Sequence, residues 1–306
     1  MLAGADEEAG GTYGIGWLAE NHPDQVRADW AVNEGGGLPL KVPNGGATFL
    51  VSVGEKGRME AHFTFNGTSG HAARPWTSDN AVFKLSQHLK RIRTRPPELD
   101  VSLPVLEPLK LFGIEEEPTV ENIDRLLAEM EKADRAVASQ LKALTRMTLA
   151  PTLVSAGLKS NNVPAVARLT CDIRNLPHQD ETHVQHEMGK LMEGIDGVEV
   201  RLEVTGISNA SPFDSPFVQR LQQATALALG RDDVALVPGM STGMTDSRHI
   251  RPLGTHTYGF APLAPSLNTT RAGVHGIDES FAIESLVLRT KMLVALAYLV
   301  LGGQHS

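Results

Sequence analysis

From Arg58 to Phe65 apolar and polar residues alternate without a break, with Met59, Ala61, Phe63 and Phe65 on one face and Arg58, Glu60, His62 and Thr64 on the other. Successive strand side chains point to opposite faces, so this is a strand with one wet face and one face that another layer must cover. A slip of one residue would bury the charged set, which fixes the register strongly. The same period returns at Val166 to Arg174, where Ala167, Leu169, Cys171 and Ile173 alternate with Arg168, Thr170, Asp172 and Arg174. Val198, Val200, Leu202 and Val204 repeat it once more, and a further strand is expected near Thr148 to Ser155. Between these strands Ala81, Val82, Leu85, Leu89 and Ile92 follow helical spacing, with Ser78-Asp79 as the expected cap and Pro96-Pro97 as the stop. Val184, Met188, Leu191, Met192 and Ile195 mark a second helix. The order from Glu55 to Thr205 is strand, helix, strand, strand, helix, strand, the split βαβ pattern of a ferredoxin-like α+β sheet with helices on one face.

The flanks have a different texture, with Gly10-Gly11, Gly35-Gly36-Gly37 and Gly45-Gly46 punctuating short apolar strands and helices. A C-terminal helix is expected from near Asp278 to Gly302-Gly303, where glycine offers a left-handed stop. Residues 1–54 and 208–306 therefore read as two pieces of one α/β domain, interrupted by an inserted domain at 55–207. A long helical stretch carrying Ile123, Leu126, Leu127, Met130, Val137, Leu141 and Leu144 reads as an insertion within that insert. The length of 306 residues agrees with about two domains.

Composition enters as exclusion. The 28 basic against 36 acidic residues leave a net charge of −8, with no basic cluster for a nucleic-acid partner. The longest apolar run, Met292 to Leu301, is far short of the ~20 residues of a membrane span, and the acidic start is unlike a signal peptide. A single cysteine, Cys171, rules out an internal disulfide and a thiolate zinc cluster. These features point to a reducing, cytoplasmic setting and to any metal being held by His and carboxylates.

Several segments could carry chemistry. Asp6-Glu7-Glu8-Ala9-Gly10-Gly11 sets adjacent carboxylates beside a glycine turn, where diverging side chains could divide metal binding from proton transfer; a solvated acidic turn, like Glu115-Glu116-Glu117, is the plainer reading. Ala31-Val32-Asn33-Glu34 ends an apolar strand in a carboxylate, the position where α/β proteins collect ligands. His275 lies between glycines ahead of the last helix, and His71 sits in the glycine-flanked loop Gly67 to Pro75. Asn162 precedes a strand ending at Arg174, so that an amide and a guanidinium on one sheet could clamp a carboxylate. Gly54-Glu55-Lys56-Gly57 lacks the spacing and Lys-Ser/Thr pair of a phosphate loop.

In series, ADEEAGG, DWAVNEGG, GTSGHAARP, NNVP leading to DIRNLP, GMSTGMTDSRH and AGVHGIDE resemble the co-catalytic zinc metallopeptidase family of aminoacylase-1, carboxypeptidase G and succinyl-diaminopimelate desuccinylase. The resemblance implies a phosphorylase/hydrolase-like zinc peptidase catalytic domain with an inserted ferredoxin-like lid that dimerises. It implies Glu7 as general base, Glu8, Glu34 and His275 as metal ligands, and Asp246 as a support behind them. It implies His71 as the lid histidine that reaches the partner subunit's site, with Asn162 and Arg174 holding the substrate carboxylate. Two zinc ions per subunit, or cobalt in their place, would accompany a homodimer acting on a small peptide or N-acyl amino acid. The family's upstream His-x-Asp segment has no counterpart here, so the catalytic domain is expected to be incomplete at its N-terminus. The functions left open are a hydrolase cleaving an amide beside a free carboxylate and a non-catalytic dimerising relative that lost its dizinc centre.

Overall fold

The structure, a computed structural model, describes residues 1–42, 46–265 and 277–302. Its first strands are β1 (Trp30–Asn33), β2 (Pro39–Leu40), β3 (Ala47–Glu55), β4 (Arg58–Asn66), β5 (Gly70–His71) and β6 (Thr148–Ala156). They are followed by β7 (Asn162–Val163), β8 (Val166–Arg174), β9 (Val198–Gly206), β10 (Asn209–Ala210), β11 (Val234–Ser241) and β12 (His256–Gly259). The helices are α1 (Ile15–Asn21), α2 (Pro23–Val26), α3 (Ala81–Thr94), α4 (Pro108–Leu111) and α5 (Ile123–Ala133). After them come α6 (Arg135–Leu144), α7 (Glu181–Met192), α8 (Pro216–Leu229), α9 (Ser247–Ile250) and α10 (Ile283–Leu301).

The chain divides into two compact units, Met1–Glu55 with Val101–Leu141 and Ala210–Ser306, and Lys56–Asp100 with Lys142–Asn209. In the first, β3 pairs in parallel with β11 and β1 in parallel with β12. Every residue of β3 is buried, as expected of a strand covered on both faces. Phe49, Val51 and Val53 of β3 pack with Phe217 and Leu221 of α8 and with Met292 and Leu296 of α10. The segment 101–141, placed by sequence inside the inserted domain, belongs instead to this first unit. Leu111 and Val137 pack against Leu40, Leu50 and Val237, contacts that helical periodicity alone does not reveal.

The second unit carries the ferredoxin-like sheet in the order β6-β8-β4-β9, all antiparallel. Met59, Ala61, Phe63 and Phe65 meet Ala167, Leu169, Cys171 and Ile173, with Leu85 of α3 and Val184 and Met188 of α7 over them. Burial pushes the Cys171 thiol up to about 12, so it is a packing residue and not a nucleophile.

Helix ends depart from the sequence expectation in four places. The cap of α3 is Asn80, whose Oδ1 accepts from Val82 N, rather than Ser78-Asp79. The stretch 123–144 is two helices, because Asp134 is extended and its Oδ1 accepts from Ala136 N and Val137 N, starting a new helix. The last helix starts at Ile283 instead of near Asp278. Gly302 has φ −78, so it does not make the expected left-handed stop there.

His88 of α3 is fully buried against Phe63 and Phe65, at 4.3 and 5.3 Å between ring centroids. Its Nδ1 lies 3.2 Å from Leu191 O, and its Nε2 has no hydrogen-bond partner. Burial chiefly, with some help from Arg91, lowers its pKa from 6.5 to about 4. An unfolded chain binds this proton near pH 6.5 and the folded one only near pH 4, so stability is lost as pH falls through that window. The loss amounts to about 3 kcal/mol at 1.36 kcal/mol per unit. Denaturant unfolding of His88→Leu at pH 7 and pH 4.5 should show a smaller acid loss than the wild type; equal losses would refute this account.

Candidate active site

The acidic turn is built by backbone geometry. Asp6 has φ 53, Glu7–Ala9 form one 3-10 turn, and Gly10 and Gly11 follow at φ 111 and 65. Asp6 Oδ2 accepts from Tyr13 N at 3.0 Å, and Asp6 O accepts from Gly11 N at 2.8 Å. Glycine is required at 11, since a Cβ there would sit 2.2 Å from Asp246 Oδ1 as well as in a left-handed conformation.

That closeness joins the turn to the segment before α9, and a second set of bonds joins the same segment to β1. Asn33, the last residue of β1, donates from Nδ2 to Thr245 Oγ1 at 3.3 Å and to Ser247 Oγ at 3.0 Å. Thr245 Oγ1 in turn donates to the buried Glu55 Oε1 at 2.5 Å. Glu34, Asp246 and the turn Asp6–Glu8 are thus gathered beyond the carboxyl end of a parallel strand, where open α/β sheets place ligands.

The charges register this gathering. Burial raises the Glu7 pKa, and the negative charges of Glu34, Asp246 and Glu8 raise it further, with Arg248 opposing. Asp246 is raised by burial first, with the charge of Asp6 adding and His249 and Arg248 opposing. Asp6 Oδ1 and Asp246 Oδ1 are buried without a hydrogen-bond partner. Counter-charge comes from residues to which no role had been assigned. The Arg248 guanidinium donates to Gly10 O, and His249 Nε2 lies 3.2 Å from the same oxygen. Arg289 of α10 interacts with the charge of Glu34 while its guanidinium lies 4.4 Å over the Phe281 ring. An arginine within an apolar helix gives no local signal of such a neighbour.

In type, though not in arrangement, these donors match zinc. Carboxylates and imidazole are the right ligand types, and the surplus of negative charge with two orphaned carboxylate oxygens suits a divalent cation. Among the described residues, however, no group of three or more His, Cys, Asp or Glu is arranged to hold a metal ion. His275, the ligand implied by resemblance, lies outside the described residues.

In the second unit His71 of β5 and Asn162 of β7 are direct cross-strand partners. His71 Nδ1 accepts from Ala73 N at 3.1 Å, and Asn162 Oδ1 accepts from Ser69 Oγ at 3.0 Å. Arg174 does not join them. It ends β8, about 26 Å along the strand from Val166 at ~3.3 Å per residue, with its Nε 2.8 Å from Asp172 Oδ1. The amide and guanidinium imagined as one clamp therefore stand at opposite ends of the strand.

A family model described as the peptidase dimerisation domain matches residues 53–197. The chain is 27% identical over 253 residues to the N-fatty-acyl-amino acid synthase/hydrolase PM20D1 of Mus musculus, covering 80% of this chain and 49% of that protein. It is 25% identical over 297 residues to the probable carboxypeptidase S-like 1 of Dictyostelium discoideum, covering 94% and 56%. It thus spans about half the length of these curated relatives. Its fold matches the M20 family metallo-carboxypeptidase Sso-CP2 from Sulfolobus solfataricus with a TM-score of 0.63 at 18% identity, covering 95% of this chain and 68% of that one. Among the described residues no helix is long and apolar enough to cross a membrane. Residues 53–197 are thus similar to a peptidase dimerisation domain, and the fold is similar to that of an M20 family metallo-carboxypeptidase.

Proposed function

We propose that this protein is a metal-dependent hydrolase of an amide or peptide bond next to a free carboxylate, of the carboxypeptidase or N-acyl amino acid amidohydrolase type. The observation that carries the proposal is the placing of Glu7 in a partly buried cluster with Glu34, Asp246 and Glu8, where burial first and then the neighbouring charges raise its proton affinity. A carboxylate so raised is better matched to taking a proton near neutral pH and returning it to a leaving amine than an ordinary one. Glu7 is therefore the general base, and the adjacent Glu8 is left to bind metal. Zinc held by Glu8, Glu34 and His275 would polarise the scissile carbonyl and acidify a water. Asp246, with its neighbours Thr245 and Ser247 tied to Asn33, holds the floor on which Glu34 stands.

His71 is proposed to polarise the carbonyl from the lid of a partner subunit, in a homodimer formed through the domain matched at 53–197. The names of the relatives describe compatible substrates, since an N-acyl amino acid and a peptide C-terminus both place an amide beside a carboxylate. A cytoplasmic setting suits a chain whose only cysteine is a buried thiol.

The test is hydrolysis of N-acyl amino acids and dipeptides, each paired with its C-terminal amide. Free acids should be turned over roughly 10- to 100-fold better, the worth of one charge-assisted contact. Chelation should abolish turnover and added zinc or cobalt restore it. A metal-loaded protein that hydrolyses none of them would overturn the proposal.

A further inference from the structure

In the second unit the C-terminal ends of α3 and α7 are tied together, and a cavity lies between them. Arg91 of α3 donates from Nη1 to Leu191 O at 3.1 Å and to Glu193 O, so the residues just beyond each helix share one rim. Arg95 ends α3 with a non-helical backbone, φ −127 and ψ 76, as the following Pro96 favours, and Glu193 ends α7. Both exposed side chains line a cavity of about 270 Å³. Its floor is apolar, made by Ile92, Met147, Leu149, Met188 and Leu191 at the margin of the unit's core.

The charges around this floor are of two kinds. Lys190 Nζ lies 2.7 Å from Glu98 Oε1 and 2.6 Å from Glu187 Oε1, so these three groups satisfy one another. The side chains of Arg95 and Glu193 have no hydrogen bond or ion pair among the described residues, with each other or with any third group. Opposite charges that line one cavity without closing on each other suit a ligand that carries both signs. A guanidinium matches a carboxylate bidentately, a carboxylate accepts from an ammonium, and the floor receives a hydrocarbon side chain. A ligand of one sign alone would meet one of the two charges and be repelled by the other. The volume, near the lower end for ligand pockets, admits only a small molecule.

We propose that this cavity binds a free α-amino acid with an apolar side chain, its carboxylate on Arg95, its ammonium on Glu193 and its side chain over Leu149 and Met188. None of the residues given a role in hydrolysis lines it, so the assignment goes beyond the proposed reaction and does not depend on it.

The experiment is calorimetric titration of the 306-residue protein at pH 7 with L-leucine, glycine, L-leucinamide, which lacks the carboxylate, and 4-methylpentanoate, which lacks the ammonium. Leucine should bind about 10-fold more tightly than glycine, from burial of its side chain, and about 5-fold more tightly than either single-charge analogue. Arg95→Gln should bring leucine down to the level of leucinamide, and Arg95→Lys should keep part of the difference. Glu193→Gln should bring leucine down to the level of 4-methylpentanoate. Both side chains are exposed, so the melting temperature should not move. Leucine binding that ignores both Arg95→Gln and Glu193→Gln would place the ligand elsewhere and overturn the assignment. Glycine binding as tightly as leucine, or no binding of leucine at all, would overturn it too, whatever the protein hydrolyses.

Discussion

Glu7→Gln should lower turnover by roughly a hundred- to ten-thousand-fold, the range contributed by a positioned general base, while leaving the zinc content of the loaded protein almost unchanged. The amide keeps the size of the carboxylate and relieves the repulsion that Glu34, Asp246 and Glu8 exert on it, so the turn Asp6–Glu8 should hold its shape. What is lost is the ability to accept a proton. Glu8→Gln should do the opposite and deplete bound metal. Turnover and metal content measured on the same samples separate the two roles; near-normal turnover in Glu7→Gln would remove Glu7 as the base.

Glu55→Leu should cost about 3 to 5 kcal/mol of stability, the range for removing one partner of a buried ion pair. Glu55 is 2% exposed and Arg251 8%, with Arg251 NH1 3.7 Å from Glu55 Oε2. Burial pushes the Glu55 pKa up, and the Thr245 hydroxyl and then the Arg251 charge pull it back. Without the carboxylate, Arg251 keeps its bonds to Thr257 O and Ser211 but, still buried, loses the counter-charge of Glu55. Glu55→Gln should cost less, because its carbonyl still accepts from Thr245. Urea unfolding of the three proteins gives the ranking, and a Glu55→Leu loss under 1 kcal/mol would show that the pair is not what holds this end of β3.

The second unit was largely legible in the sequence because its sheet has one wet face. Arg58 to Phe65 alternates in the chain, and β4 alternates in burial over the same residues. Positions fixed by local polar chemistry were harder. Asp134 interrupts a helical hydrophobic pattern without disturbing its spacing, so only its capping bonds disclose the break. Periodicity showed that 101–141 has an apolar face but not that Leu40, Leu50 and Val237 receive it.

The candidate site divides in the same way. Glu7, Glu8, Glu34 and Asp246 stand out as carboxylates beside glycine or at a strand end, and the structure brings them within electrostatic reach of one another. Arg289 approaches Glu34, and Arg248 approaches Glu7, only through the tertiary fold.

Leu99 and Arg146 form an antiparallel bridge, and Asp100 N donates to Thr145 O at 2.8 Å. The polypeptide therefore departs and comes back through a single gate, with the intervening stretch folding elsewhere. Closing a loop costs only about 0.6 kcal/mol more for each doubling of its length. Evolution could thus shorten, enlarge or exchange what hangs from that gate, giving related proteins different decorations on an otherwise unaltered four-stranded scaffold.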